Sequence, residues 1–148
     1  YGGRREIMEM VSPVGPVYQA GTLSGNPVAM AAGLTQLKIL YEHPEIYTNL
    51  RDKGEKLYGG IREILKEKGA PCVMNYIGSL GCVFFTREPV TDYASAKTAD
   101  TKAYAEYFKH MLRSGIHLAP AQFEAMFLSD AHTEEDIQAT LEAVRRFF

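Results

Sequence analysis

The sequence has no tryptophan, only two cysteines and no apolar run long enough to cross a bilayer. Cys72 and Cys82 are too few for the disulfide framework of a small secreted domain or for a zinc ligand set, so a reducing, cytoplasmic setting is expected. The net charge of -2 offers no basic surplus for nucleic acid or anionic membranes, and neither partner is predicted. The composition is that of a globular protein whose 148 residues suffice for one domain with its own core.

The common catalytic and metal-binding motifs are also missing. No histidine forms a His-Glu-x-x-His pair or another close ligand spacing, so no metal site is predicted. Ser24 lacks the Gly-x-Ser-x-Gly context of a hydrolase nucleophile. The four histidines are expected in surface or capping positions: His43, His110, His117 and His132.

The most informative stretch that is present runs from Tyr18 to Pro27 and reads Tyr-Gln-Ala-Gly-Thr-Leu-Ser-Gly-Asn-Pro. Its glycines allow the backbone to approach a ligand closely, and a helix that begins here would offer unpaired N–H groups at the positive end of its dipole. The pattern therefore fits a phosphate site. It also fits an ordinary helix start, in which Asn26 caps, Pro27 takes the first helical position and nothing binds.

Hydrophobic periodicity predicts helices interleaved with short strands. Hairpin-connected strands without a repeating βαβ unit favour an α+β fold, a small sheet covered by helices on one side. Thr133, with Asp136 three residues later, approximates a capping box at the start of the last helix. The predicted helices cover 27–41, 45–68, 101–114 and the residues after 133, the strands cover 72–77, 80–86, 116–118 and 126–129, and 87–97 is an exposed loop.

Glu124 is a candidate functional acid because its neighbours, Phe123, Ala125 and Met126, are apolar and it lies in a predicted loop. Such surroundings can raise the pKa of a carboxyl group or hold it beside a cationic ligand, and loops carry many functional residues. The alternative is a solvent-facing acid at a strand edge.

Four stretches carry a resemblance to a known family: 1–10, 15–27, 119–125 and 127–137. Together they resemble the glutamate-1-semialdehyde 2,1-aminomutases, a branch of the class III pyridoxal-phosphate aminotransferases. The resemblance covers essentially the whole chain, whereas the Gly-Thr…Gly-Asn-Pro core by itself indicates only the wider class.

The resemblance implies the aspartate-aminotransferase-like fold (fold type I) and a homodimer. Residues 1–26 would end the large cofactor-binding domain and are expected to be mobile without it. Residues 27–148 would form the small C-terminal α+β domain. Because the chain begins at Tyr1 without a methionine, it is expected to belong to a longer protein.

The resemblance also implies the site. Thr22, with Gly21 beside it, would reach the phosphate of pyridoxal 5'-phosphate in the neighbouring subunit. Tyr18 would lie near the substrate, and Glu124 would be the active-site glutamate of a Gln-Phe-Glu-Ala loop. The parent enzyme would convert glutamate-1-semialdehyde to 5-aminolevulinate, an early step toward tetrapyrroles.

In this family the lysine that forms the Schiff base with the cofactor precedes the segment that matches Tyr1, so the chain alone is expected to be inactive. Two alternatives remain open at this stage. One is another class III aminotransferase or racemase that acts on a different amine. The other is a non-catalytic dimerisation or interaction module.

Overall fold

The computed structural model describes residues 1–148 and divides them into two compact units, Tyr1–His43 and Pro44–Phe148. The first unit holds a one-turn helix α1 (Arg5–Met8), a bridge between Val11 and Val17, and the long helix α2 (Pro27–Glu42). Helix α2 confirms the prediction for 27–41, yet none of its residues is buried. The assignment of 1–26 and 27–148 to two domains of a larger protein stays a prediction.

The second unit opens with one continuous helical rod. It consists of α3 (Glu45–Gly54), a π-helical turn (Glu55–Gly59) and α4 (Gly60–Glu67). The rod confirms the helix predicted over 45–68, although the apolar spacing gave no sign of the π turn. Its buried face holds the residues that start the core of this unit: Leu57, Tyr58, Ile61, Ile64 and Leu65.

A three-stranded antiparallel sheet follows, in the order β1 (Val73–Ile77), β2 (Leu80–Phe84) and β3 (Met126–Phe127). Ile77 pairs with Leu80, so the turn between β1 and β2 has two residues. Gly78 fills its first position with a φ of 53°, a conformation that favours glycine. This α+β arrangement confirms the predicted fold class and hairpin.

The remaining helices are α5 (Tyr93–Ala96), α6 (Thr101–Arg113) and α7 (Glu134–Phe147). Helices α6 and α7 confirm their predictions, and the rings of both pack around Phe85 in the core. Helix α5 corrects the prediction of a plain loop over 87–97, because Asp92 and Ser95 form a capping box that supports one helical turn. No helix of the structure combines the length and the apolar character needed to cross a membrane.

On α6, Leu112 is 50% exposed, since Met111 beside it takes the buried side. One smaller prediction is wrong. The segment 116–118 is not a strand, although Ile116 and Leu118 pack partly against the core. In the adjoining loop, the side chain of Gln122 makes hydrogen bonds at the edge of β2 where a further strand would pair.

The capping box at the start of α7 gives a first testable prediction. Thr133 Oγ1 accepts from the N–H of Asp136 at 3.2 Å, and the Asp136 carboxylate accepts from the N–H of Thr133 at 2.8 Å. Thr133→Ala should lower the free energy of unfolding by about 1 kcal/mol in urea denaturation, because one helix-end donor loses its acceptor. Thr133→Ser keeps the hydroxyl and should stay within about 0.5 kcal/mol of the wild type; an equal loss in both variants would contradict the capping explanation.

Candidate functional site

The turn that carries Thr22 is held by its own backbone. The N–H of Ser24 donates to the carbonyl of Gly21 at 3.0 Å, and the N–H of Asn26 donates to that of Leu23 at 3.2 Å. Gly25 closes the turn with a φ of 74°, which a residue with a side chain rarely adopts. Thr22 is therefore exposed on the outside of a closed turn, and its hydroxyl has no hydrogen-bond partner in the chain.

The start of α2 tests whether Asn26 caps the helix. The side-chain oxygen of Asn26 accepts from the N–H groups of Val28 at 3.0 Å and Ala29 at 3.1 Å, and Pro27 has no N–H to offer. The N–H of Met30 donates to the carbonyl of Asn26. The helix cap is confirmed. The helix-end N–H groups already have acceptors in the chain, so the phosphate site stays a prediction that rests on the turn residues before them.

The turn itself still offers donors that suit an anion. The N–H groups of Gly21, Thr22, Leu23 and Gly25 donate to no backbone carbonyl, and the Thr22 hydroxyl lies beside them in sequence. A Cβ added at Gly21 would collide with the Ser24 hydroxyl, so glycine keeps this turn tight. Neutral N–H and O–H donors in a short turn are a suitable set for phosphate oxygens.

Tyr18 precedes this turn and is 83% exposed. It lies in the first unit with Gly21 and Thr22, whereas Glu124 lies in the second unit. The roles assigned to these four residues from the resemblance stay predictions.

The loop that carries Glu124 runs from residue 119 to residue 125 and is anchored at both ends by buried tyrosines. The hydroxyl of Tyr104 donates to the carbonyl of Ala119 at 2.6 Å. The hydroxyl of Tyr58 lies 3.2 Å from the carbonyl of Met126 and 3.1 Å from that of Ser79. Burial raises the pKa of both tyrosines to about 12, so they remain protonated donors at neutral pH.

The middle of the loop is fixed to β2 by Gln122, whose side chain is only 3% exposed. Its Nε2 donates to the carbonyl of Val83 at 2.6 Å, and its Oε1 accepts from the N–H of Phe85 at 3.3 Å. The thiol of Cys82 lies 3.5 Å from the carbonyl of Gln122 and 3.8 Å from that of Glu124. Burial raises the pKa of Cys82 to about 11, which keeps this thiol protonated as a donor.

Glu124 itself sits at the exposed tip of this anchored loop. Its N–H donates to the carbonyl of Ala121 at 3.2 Å, which closes a turn, and its side chain is exposed. The geometry thus combines a fixed backbone with a carboxylate that is open to a ligand. The negative charge of Glu124 is also one of the causes that raise the pKa of Tyr104, after burial and the effect of Cys82.

A cavity of about 210 Å³ lies behind the loop, between α7 and the rod formed by α3, the π turn and α4. Its inner wall is apolar, and its polar lining includes His117, His132 and Asp136. His132 is held through Nδ1, which accepts from the N–H of Ser129 at 3.1 Å. No group of three or more His, Cys, Asp or Glu side chains in the chain is placed to hold a metal ion.

The sequence pattern predicts a role for Glu124 but none for the residues that fix its loop: Gln122, Cys82, Tyr58 and Tyr104. The one available signal was the position of Gln122 between two apolar residues, Ala121 and Phe123. The tyrosines gave no signal, because their hydroxyls meet carbonyls that are distant in sequence.

Comparisons with known proteins give one consistent result. The chain is 60% identical over 147 residues to glutamate-1-semialdehyde 2,1-aminomutase 1 of Lachnoclostridium phytofermentans, covering 99% of the chain and 34% of that protein. It is 54% identical over 146 residues to the aminomutase of Thermus thermophilus, with 99% of the chain and 34% of that protein covered. The chain thus spans about a third of the length of the curated relatives it matches. No protein-family model matches it.

The solved structures agree on the fold. A β-phenylalanine aminotransferase from Variovorax paradoxus superposes with a TM-score of 0.77 at 28% identity, covering 99% of this chain and 34% of that one. A glutamate-1-semialdehyde aminomutase from Pseudomonas aeruginosa superposes with a TM-score of 0.73 at 19% identity, covering 96% of this chain and 32% of that one. The sequence identity relates the chain, over the segment that it spans, to the glutamate-1-semialdehyde 2,1-aminomutases, and the solved structures show that it shares the fold of aminotransferases.

Proposed function

We propose that this chain supplies the phosphate-binding turn and an active-site loop to a pyridoxal 5'-phosphate-dependent aminomutase that converts glutamate-1-semialdehyde to 5-aminolevulinate for tetrapyrrole formation. The observation that carries the proposal is the 60% identity over 147 residues to a protein of that name. The proposed setting is the cytoplasm. The parent protein acts as a homodimer in this proposal, and its partners are its small amino-aldehyde substrate and its own second copy.

The turn around Thr22 is the proposed holder of the coenzyme phosphate, in the active site of the neighbouring subunit. The free hydroxyl of Thr22 would donate one hydrogen bond to a phosphate oxygen, and the unpaired N–H groups of Gly21 and Thr22 would add others. When bound, the coenzyme supplies the electron sink and the carrier for the amino group. The turn would hold the phosphate in a fixed place, because its own hydrogen bonds close it before any ligand binds.

Glu124 and Tyr18 are the proposed substrate-side residues. The carboxylate of Glu124 would accept a hydrogen bond from the ammonium group of the substrate, which fixes one end of a flexible molecule. The anchored backbone on either side of Glu124 supports this role, because an orienting group acts only if it is itself held in place. Tyr18, whose ring is exposed, is proposed to lie near a substrate on the strength of the resemblance alone.

A second candidate is an aminotransferase that shares the fold and the phosphate turn but acts on another amine. The TM-score of 0.77 to a β-phenylalanine aminotransferase supports this second candidate. The two candidates differ in the amino donor. The aminotransferase needs a separate amine, whereas the aminomutase needs only its own substrate.

An activity assay separates these candidates. The longer protein that carries this chain, supplied with pyridoxal 5'-phosphate, is expected to form 5-aminolevulinate from glutamate-1-semialdehyde and to leave β-phenylalanine and alanine unchanged. The 148-residue chain alone is expected to form no product, and borohydride should attach no pyridoxal group to it, because the coenzyme lysine of the family lies outside it. Turnover of an external amine without turnover of the semialdehyde would favour the second candidate and reject the first.

A further inference from the structure

We propose that Gln122 is the positioning residue for Glu124. Its side-chain amide fixes the loop by making the hydrogen bonds that a neighbouring strand would make at the free edge of β2. The importance of Glu124 rests on the function proposed above. The attachment of the loop to β2 does not depend on that function and can be tested separately.

The edge of β2 is only partly covered by a neighbouring strand. Strand β3 pairs with Leu80 and Gly81 and ends there. Beyond this point the carbonyl of Val83 and the N–H of Phe85 are met by the two ends of the Gln122 amide, at 2.6 Å and 3.3 Å. A primary amide carries one donor end and one acceptor end, as a backbone peptide does, so it completes the ladder without a strand.

Because Glu124 is only two residues from Gln122, the attachment of Gln122 to β2 also restricts the position of Glu124. The carbonyls of Gln122 and Glu124 both face the thiol of Cys82, which is itself part of β2. The turn from Ala121 to Glu124 leaves little freedom between them. The side chain of Gln122 points into the core while that of Glu124 is exposed, so one residue holds the loop and the other presents its carboxylate.

An apolar residue would fill the same space at lower cost. Burying an amide is unfavourable unless its hydrogen bonds are made, and here both are made to groups that would otherwise be buried without partners. The two hydrogen bonds of the amide therefore fix the position of the loop along β2. A methionine of similar shape could not fix it, because it makes neither bond.

The two cysteines provide a reporter for this attachment. Cys82 lies under the loop, whereas Cys72 lies beside Arg62, Leu65 and Arg87, away from it. Burial raises the pKa of Cys72 to about 12, a value close to that of Cys82, so the two thiols respond alike to pH. Iodoacetamide alkylates both thiols, and mass spectrometry gives the rate for each. The Cys82 rate reports opening of the loop, the Cys72 rate reports general opening of the domain, and their ratio isolates the loop.

Gln122→Met should raise the ratio of the Cys82 rate to the Cys72 rate by about tenfold, since both amide hydrogen bonds are lost at similar volume. Gln122→Glu should raise the same ratio at about pH 8, because an ionised carboxylate has no proton to donate to the carbonyl of Val83. At about pH 5 the buried acid is protonated and donates again, so the ratio should return to the wild-type value. The matched control is Gln36→Glu on α2, an exposed position, which should leave the ratio unchanged at both values of pH. A ratio that stays within about twofold of the wild type in both Gln122 variants would overturn the proposal.

A measurement on the wild-type chain covers the case in which the variants do not fold. The N–H of Phe85 has the Gln122 side chain as its acceptor, so it should exchange with solvent at least about tenfold more slowly than in an unstructured peptide. Exchange of the Phe85 N–H at the unstructured rate would overturn the proposal without any substitution.

A double-mutant cycle in the longer protein tests the link to Glu124 itself. If Gln122 acts through Glu124, then Gln122→Met lowers kcat/KM in the wild type but has no further effect in the Glu124→Gln background. Additive losses would overturn the positioning role. If Glu124→Gln alone leaves kcat/KM unchanged, the proposed function of Glu124 fails, while the thiol and exchange results still decide the attachment of the loop.

Discussion

Replacing Gly54 with alanine is expected to lower the free energy of unfolding of the second unit by about 3 kcal/mol, the upper part of the range for an overpacked core position. A Cβ at Gly54 would collide with the carbonyl oxygen of Gly78 and lie 2.8 Å from the carbonyl carbon. Both atoms belong to the backbone of the β1–β2 turn, so no side chain can rotate away. The helical rod or the hairpin must therefore shift, and every core contact between them shifts with it.

The matched control is Gly59→Ala in the π-helical turn of the same rod. There the nearest atom to an added Cβ is a carboxylate oxygen of Glu55, at 3.0 Å, and that exposed side chain can move aside. Its change in the free energy of unfolding should stay within about 1 kcal/mol, since alanine also favours the helix. Urea denaturation followed by circular dichroism measures both, and equal stabilities of the two variants would contradict the close approach of Gly54 to the hairpin.

The helices of this chain were predictable because each is specified locally. The rod over 45–68 follows from apolar residues at helical spacing, and α7 follows from Thr133 and Asp136 in a capping box. Helix α5 could have been found by the same rule, since Asp92 and Ser95 have the capping spacing as well. The hairpin was predictable from two adjacent residues, Gly78 and Ser79.

The loop over 119–125 was not predictable in this way, because its structure depends on contacts between residues far apart in sequence. The side chain of Gln122 makes the hydrogen bonds that a strand would make at the edge of β2, and the segment 116–118 forms no strand. The close approach of Gly54 to Gly78 is invisible in the sequence for the same reason. At the Thr22 turn both interpretations used the same residues, so only the hydrogen bonds of Asn26 could decide that the helix end is capped.

Replacing Thr22 with alanine is expected to weaken the binding of pyridoxal 5'-phosphate to the longer protein by about 10- to 100-fold, the loss that follows from removing one hydrogen bond to a charged group. The Thr22 hydroxyl has no partner in the chain, so its removal leaves the turn itself intact. Equilibrium dialysis of the coenzyme measures the effect, and Thr22→Ser should restore most of the affinity. The matched control is Thr35→Ala, because the Thr35 hydroxyl already donates to the carbonyl of Ala31 at 2.9 Å. Equal coenzyme affinity in the Thr22→Ala and Thr35→Ala variants would remove Thr22 from the phosphate site.

The same substitution tests whether Thr22 serves the neighbouring subunit. If each active site combines the coenzyme lysine of one subunit with Thr22 of the other, a mixed dimer of a Thr22→Ala subunit and a lysine-deficient subunit contains one site with both groups and one with neither. Equal mixing of the two inactive proteins at limiting coenzyme should then recover about a quarter of the wild-type activity, since half of the dimers are mixed and each holds one complete site. If Thr22 served its own subunit, every site of the mixed dimer would lack one group, and mixing would recover nothing.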